Sequence, residues 1–319
     1  MAGIYIHIPF CKQACSYCDF HFSTQLSNKE KVLKALEEEI QLRSNYLRDE
    51  IIETIYLGGG TPSLLNKAEL NSIFSTIQEN FLLADQPEVT LEANPDDLSI
   101  EKLTALRETP INRLSIGVQS FFDEDLRFMN RAHSSSEAIT SIKNAQRLGF
   151  ENISIDLIFG SQTTTNEMWQ ENLAQFFEFN ISHLSAYSLT IEEKTALAHN
   201  IEKGVASSLD EDKNYQQYLL LQKAIQQNGF EQYELSNYCK NESYSRHNTS
   251  YWQGKKYLGI GPSAHSFDGI SRQWNIKNNT LYCKSIQQKL PNFEREVLTE
   301  IDRYHEYLIT NLRLSLIHI

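Results

Sequence analysis

Over the first two thirds of the chain, short apolar or alternating runs are separated by stretches whose apolar residues fall three and four positions apart. The runs at 3–9, 53–58, 88–93, 113–119, 152–159 and 183–189 have the length and alternation of strands. The stretches at 29–47, 67–80, 100–108, 135–148, 166–177 and 210–228 carry the helical period. Asn28, Asn66, Ser99 and Ser134 stand where helix N-caps belong, with side-chain oxygens able to accept from first-turn amides. Six β-then-α units predict an α/β fold with right-handed crossovers and a parallel sheet. A doubly wound sheet and a partial barrel both satisfy this pattern. Both gather functional side chains at the C-terminal ends of the strands.

After residue 230 the pattern changes. Tyr, Asn, Ser and Gly become dense through YELSNYCKNESYSRHNTSYWQGKKYLGIGPSAHSFDG, which reads as hairpins and loops closing one edge of the sheet. A helix is expected at 301–314. The expected organisation is a βα domain at 1–230, a loop- and hairpin-rich extension at 231–300, and the start of a helical C-terminal domain at 301–319. The apolar end LSLIHI leaves that last unit without a packing partner, so it is read as truncated.

With 40% apolar residues, the 319-residue chain can bury a substantial core. No apolar run approaches the roughly 20 residues that span a bilayer, and the opening MAGIYIHIP alternates like a strand instead of forming a signal peptide. The expected location is cytoplasmic, where thiols stay reduced and clustered cysteines serve metals more often than disulfides. The net charge of −12 comes with dispersed Lys and Arg, which argues against a nucleic-acid face, since phosphate binding needs clustered cations.

Three of the five cysteines, Cys11, Cys15 and Cys18, have C-x₃-C-x₂-C spacing just after the first strand. A structural zinc wants four ligands; Asp19 or His21 could supply the fourth, but no second C-x₂-C pair follows. A [4Fe–4S] cluster normally takes four thiolates, so three leave one iron open to a small chelating molecule. The YLGGGTPS stretch, 56–63, allows close backbone approach and offers N–H and C=O groups to a ligand. It lacks the Gly-Lys-Ser/Thr of a nucleotide phosphate loop. Glu92, Gln119 and Asp156 sit in or at the ends of apolar strands, where burying a neutral polar group without a partner costs roughly 2–7 kcal/mol. Three such residues on successive βα units, all toward the strands' C-terminal ends, mark a site.

The cysteine spacing, with Tyr17 before the last cysteine, resembles the signature of the radical S-adenosylmethionine (SAM) superfamily. The resemblance implies a partial (β/α)₆ barrel, a [4Fe–4S] cluster on Cys11, Cys15 and Cys18, and SAM chelated at the open iron. It implies further that an electron from the cluster can cleave the sulfonium to a 5′-deoxyadenosyl radical, and that Gly59, Gly60 and Thr61 meet the amino group of SAM. The strand motifs are similar to those of the coproporphyrinogen-oxidase branch. That similarity carries SAM contacts over to Tyr5, Tyr17, Glu92, Gln119, Arg131 and Asp156, and less closely to Thr190, since AYSLT departs from the branch's wording.

Within this branch, oxygen-independent coproporphyrinogen III oxidases have a further cysteine two residues after the third, where this chain has Phe20. The HemW heme chaperones have Phe there, and an H-N-x-x-Y-W motif that HNTSYW at 247–252 matches. The resemblance to HemW runs from Tyr5 to about Arg313. It implies a protein that binds the cluster, SAM and heme and delivers heme to acceptor proteins, with peripheral membrane association open. His247 becomes the expected heme ligand, shielded by Tyr251 and Trp252, and His265 a secondary candidate. His7 is expected to support the cysteine loop, and Cys239 and Cys283 to be ordinary thiols. The enzymatic alternative is oxidative decarboxylation of coproporphyrinogen III propionates, against which Phe20 weighs. Radical SAM modification of RNA predicts a basic appended domain, which this chain does not show.

Overall fold

The alternation within the predicted strands becomes two chemically different faces of one sheet. A computed structural model describes residues 2–313; the LSLIHI tail at 314–319, with the expected helix end, lies outside the described residues. Strands β1 (Ala2–Ile8), β2 (Ile52–Gly59), β3 (Leu83–Ala93), β4 (Arg113–Gln119), β5 (Asn152–Phe159) and β6 (His183–Ser188) are parallel neighbours in that order. Helices α1 (Lys29–Leu42), α2 (Lys67–Asn80), α3 (Ile100–Arg107), α4 (Asp123–Phe128) and α5 (Ser135–Arg147) fill the first four connections. The fifth holds α6 (Asn166–Glu178); α7 (Ala196–Glu202) and α8 (Glu211–Gln227) follow β6.

The remaining strands extend the sheet at both edges, not at the one expected. On the β6 side lies the hairpin of β7 (Glu231–Gln232) and β8 (Asn237–Cys239). After α9 (Arg246–Trp252), β9 (Lys256–Ile260) crosses back and pairs parallel with β1. Antiparallel β10 (His265–Phe267), β11 (Ser271–Asn275) and β12 (Phe293–Val297) complete that edge, with α10 (Asn279–Gln287) between the last two. Helix α11 (Glu300–Arg313) follows. Strands β1 to β6 follow one another in chain order without the reversal of a doubly wound sheet, which is the partial-barrel form of the two expected alternatives.

Local signals fix most helix starts. Asn66 and Ser134 each form a complete capping box, with Glu69 and Glu137, and the Ser99 hydroxyl accepts from the Lys102 amide. Asn28 makes no side-chain cap, because a 3₁₀ turn at Leu26–Asn28 already leads the chain into α1. The expected 29–47 helix likewise ends at Leu42 and resumes as a separate 3₁₀ turn, Ser44–Leu47.

Side chains alternate across a strand with period two. One set, including Ile4, Ile6, Ile8, Leu57, Leu91, Ile116 and Ile155, is fully buried in a core shared with Leu36 of α1 and Ile73 of α2. The other set reads Thr54 and Tyr56 on β2, Thr90 and Glu92 on β3, Ser115 on β4, Ser154 and Asp156 on β5, and Ser185 on β6. Toward the strands' N-terminal ends this polar face is filled by the chain's own later segments. Glu88 accepts from the amides of Arg246 and His247 at 3.0 and 2.9 Å. Thr54 Oγ1 and His247 Nδ1 are 2.7 Å apart, and His183 links Ser154 to Tyr233. Among the described residues no helix is long and apolar enough to cross a membrane.

A buried carboxylate ties the β9–β11 edge to α1. Glu39, fully buried, accepts from Arg43 Nη1, Asn275 Nδ2, the Gly261 amide and the Tyr282 hydroxyl at 3.3, 2.8, 2.8 and 2.6 Å. Removing it leaves Arg43 and three donors without their shared acceptor. Glu39→Ala is expected to lower unfolding free energy by about 3–5 kcal/mol in urea titration.

Candidate functional site

The cysteine loop leaves the C-terminal end of β1 and is held by segments far away in sequence. Gln13 Nε2 donates to Asn130 O and Oδ1 at 3.0 and 2.9 Å, and Asn130 Nδ2 donates to Ala14 O at 2.7 Å. The Ser16 amide donates to Met129 O, and Leu197 N to Ser16 O. Lys12 bridges to Asp96 and Asp97 in the turn after β3. The loop is thus positioned by the β3 and β4 connections and by α7.

The glycines after β2 serve that same attachment. A Cβ on Gly60 would lie 2.6–2.7 Å from the carbonyl oxygens of Phe10 and Ile8, and one on Gly59, at φ +103°, 2.4 Å from the His7 ring. The amides expected to meet a ligand are already committed: Gly60 N to Ile8 O, Thr61 N to Phe10 O, and Gly59 N to Glu92 Oε2 at 3.2 Å. What this corner offers an incoming amino group is oxygen, above all the Glu92 carboxylate.

Cys11, Cys15 and Cys18, each half-buried, border one cavity of about 510 Å³ at the C-terminal end of the sheet. Tyr17, Gly59, Gly60, Thr61, Glu92, Gln119, Arg131, Asp156 and Thr190 line it too. The structure therefore brings together every expected cluster and SAM residue except Tyr5. Three thiols without a fourth fit an iron–sulfur cluster with one iron left to another ligand. Burial pushes the thiols of Cys11 and Cys18 up to about 11, so taking up a metal there must displace protons.

Arg131 closes one wall. Its guanidinium donates to Cys15 Sγ at 3.3 Å and to Asn94 Oδ1 and Gly117 O at 2.8 Å each, while its Nε is buried without a partner. Gln119 reaches the cavity because β4 bulges between Gly117 and Gln119, which takes the left-handed φ of +68°. Ser115 donates to both Asp156 oxygens at 3.2 and 3.3 Å, and burial raises the Asp156 carboxyl above its usual range.

Tyr5 instead faces a second, aromatic cavity of about 900 Å³. A smaller space of about 240 Å³, walled by Tyr56, Glu92 and Tyr251, lies between the two. Phe20, 66% exposed, borders all three. His7 supports the cysteine loop as expected: Tyr5 OH lies 3.2 Å from its Nδ1, and its Nε2–H donates to His21 O at 2.7 Å.

His247, expected as a heme ligand, is an interior residue. It is 1% exposed and stacks on Tyr56 with ring centroids 5.0 Å apart. Both ring nitrogens are engaged, Nδ1 with Thr54 and Nε2 with the Tyr251 hydroxyl at 2.8 Å. Burial, with the charge of Arg113, pushes its pKa down to about 3. In this arrangement it completes the polar face of the sheet and has no free lone pair for iron. Gln13, Asn94 and Asn130 were not singled out from sequence; the left-handed φ of +55° at Asn130 suits the asparagine in MNRAH, the one local signal available.

Residues 5–176 match the family model described as the Radical SAM superfamily. The chain is 35% identical over 318 residues to the heme chaperone HemW of Bacillus subtilis, covering 98% of this chain and 83% of that one. It is 34% identical over 286 residues to the heme chaperone HemW of Mycobacterium tuberculosis, covering 88% and 73%. The solved coproporphyrinogen III oxidase (HemN) from Escherichia coli, a radical SAM enzyme, aligns with a TM-score of 0.83 at 25% identity, covering 98% of this chain and 75% of that one.

The Glu92 carboxyl sits between two regimes. Burial raises it from 4.5 to about 7, against the Tyr56 hydroxyl, which donates to it at 2.8 Å; Asp156 raises it further. A carboxyl whose folded pKa is raised contributes stability that is present below 4.5 and lost as pH rises through about 7. The stability that the ligand-free wild type has over Glu92→Gln in urea titration is expected to be larger at pH 5 than at pH 8, while the buried neutral histidines, His247 among them, impose an opposing trend common to both proteins.

Proposed function

The chain belongs to the radical SAM superfamily and to the HemW family within it, and from that premise we propose that it binds a [4Fe–4S] cluster, SAM and heme and delivers heme to acceptor proteins. The observation that carries the reading is the convergence of three cysteine thiols with Glu92, Gln119, Arg131 and Asp156 on one cavity. Cys11, Cys15 and Cys18 would hold the cluster. The cluster supplies an electron source and an open iron that SAM can chelate.

The chain's own residues divide the remaining work. Glu92 accepts from the N–H of the ligand's amino group, and the cationic sulfonium ligand and iron nearby would favour the ionised carboxyl. Arg131 holds the Cys15 side of the loop against Asn94 and Gly117. Asp156, positioned by Ser115, and Gln119, aimed by its bulge, supply polar contacts at the far wall. Phe20 separates this cavity from the aromatic one, and its ring provides no thiolate where the oxidases of the branch have a cysteine. That residue favours a chaperone over decarboxylation of coproporphyrinogen III. The cytoplasm, with contact to acceptors that can lie at a membrane surface, is the setting proposed.

Anaerobic reconstitution is expected to give a brown protein with about four irons per chain, and Cys15→Ala a colourless one. SAM, titrated into the reconstituted protein by calorimetry, is expected to bind more tightly at pH 8 than at pH 6. Glu92→Gln is expected to weaken SAM binding about tenfold, or about 1.4 kcal/mol, and to flatten that pH dependence. Formation of protoporphyrinogen from coproporphyrinogen III with SAM and reductant would establish the oxidase reading instead.

A further inference from the structure

The aromatic cavity next to the cluster site carries a binding assignment of its own. It lies between β9–β11 on one side and α9 and α11 on the other, with Tyr5 at its inner end. Tyr251, Trp252, Tyr257 and Phe267 line it, together with Arg303 and with Arg272, whose Nη2 pairs with the lining Glu306 at 2.9 Å. Its volume of about 900 Å³ stands near the top of the roughly 300–1,000 Å³ range of small-molecule sites. Flat aromatic walls with cations among the lining residues suit a large planar apolar ring that carries carboxylates.

One wall residue adds a Lewis base. Along β10, Ser266 turns inward, where its hydroxyl accepts from the Gly259 amide at 2.9 Å, so His265 and Phe267 on the opposite face turn to the cavity. Among the described residues no hydrogen bond reaches the His265 ring, whose nearest aromatic neighbour is Trp274, 6.2 Å away between centroids. Partial burial, and then Arg272, lowers its pKa from the ordinary imidazole value. The other two histidines bordering these spaces have both nitrogens engaged, His7 with Tyr5 and His21, and His247 with Thr54 and Tyr251. An iron in the aromatic cavity therefore meets one free imidazole.

The geometry points to this cavity as the heme site, where His265 would ligate the iron and Arg303, with the Glu306-paired Arg272, would meet the carboxylates. This assignment rests on the heme-binding reading above and moves the ligand away from the HNTSYW segment. Heme there would stand across Phe20 from the cluster cavity, within the same end of the sheet.

The test is heme titration of the full chain, followed by Soret absorbance and electron paramagnetic resonance, for wild type, His265→Ala and His247→Gln. Wild type is expected to bind one heme with a histidine-ligated spectrum. His265→Ala, a change at an exposed side chain, is expected to lose that signature and at least tenfold in affinity, with free imidazole restoring the spectrum. His247→Gln is expected to keep the signature in whatever fraction folds, checked by circular dichroism. Arg272→Ala with Arg303→Ala is expected to weaken binding without changing the ligation signature. If wild type binds heme and His265→Ala gives the same spectrum and affinity, the assignment is wrong while the heme reading stands. If wild type binds no heme, the heme reading fails and the assignment with it.

Discussion

The concave face of a parallel sheet governs this protein. Most parallel strands are apolar on both sides because helices cover both. Here one side is aliphatic under α1 to α6, and the other presents hydroxyls, carboxylates and imidazoles that need partners if they are to be withdrawn from water. The two ends of that face meet the requirement differently. Toward the strands' N-terminal ends, α9 and the β7–β8 hairpin bring Glu88, Thr54 and His183 their partners from residues 233–247. Toward the C-terminal ends, Glu92, Gln119 and Asp156 remain on an open cavity beside the cysteine loop. One half is a plug and the other a socket.

That division explains why Glu92 and His247 move in opposite directions. Both are shifted by burial, Glu92 up to about 7 and His247 down to about 3. A carboxyl near neutrality at a cavity wall can change charge when a cation arrives. A histidine held neutral at every physiological pH cannot, and its two hydrogen bonds make it a strut. Burial sets the sign in each case, and access to the cavity decides whether the shift has a use.

Much of this was legible in the residues. β4 and β5 begin and end where their alternation predicts, and α2 spans the predicted 67–80 between Asn66 and Phe81, because a capping box is a local device. The polar intruders Glu92 and Asp156 fall on one cavity because period two puts both on the same face of the parallel sheet, and Gln119 joins them through the β4 bulge. The failures are nonlocal. That β9 returns to β1 depends on pairing across more than two hundred residues, and β8 joining β6 on pairing across more than fifty, which no short window contains. The HNTSYW segment identified a family but not a direction: Thr54, which takes one nitrogen of His247, lies 193 positions earlier. At the glycine corner, expected to offer both N–H and C=O groups, the N–H groups are engaged by Ile8, Phe10 and Glu92, a nonlocal pairing that the GGGT stretch does not show.

The tethering of the cysteine loop bears on what a cysteine substitution disturbs. Gln13, Ala14 and Ser16 are fastened to Met129 and Asn130, and Lys12 to the turn after β3, all by protein atoms alone. Small metal modules, by contrast, fold only when their ion arrives. Here the contacts of Gln13, Ser16 and Lys12 hold the loop without involving any of the three thiols, so exchanging one cysteine leaves those tethers in place.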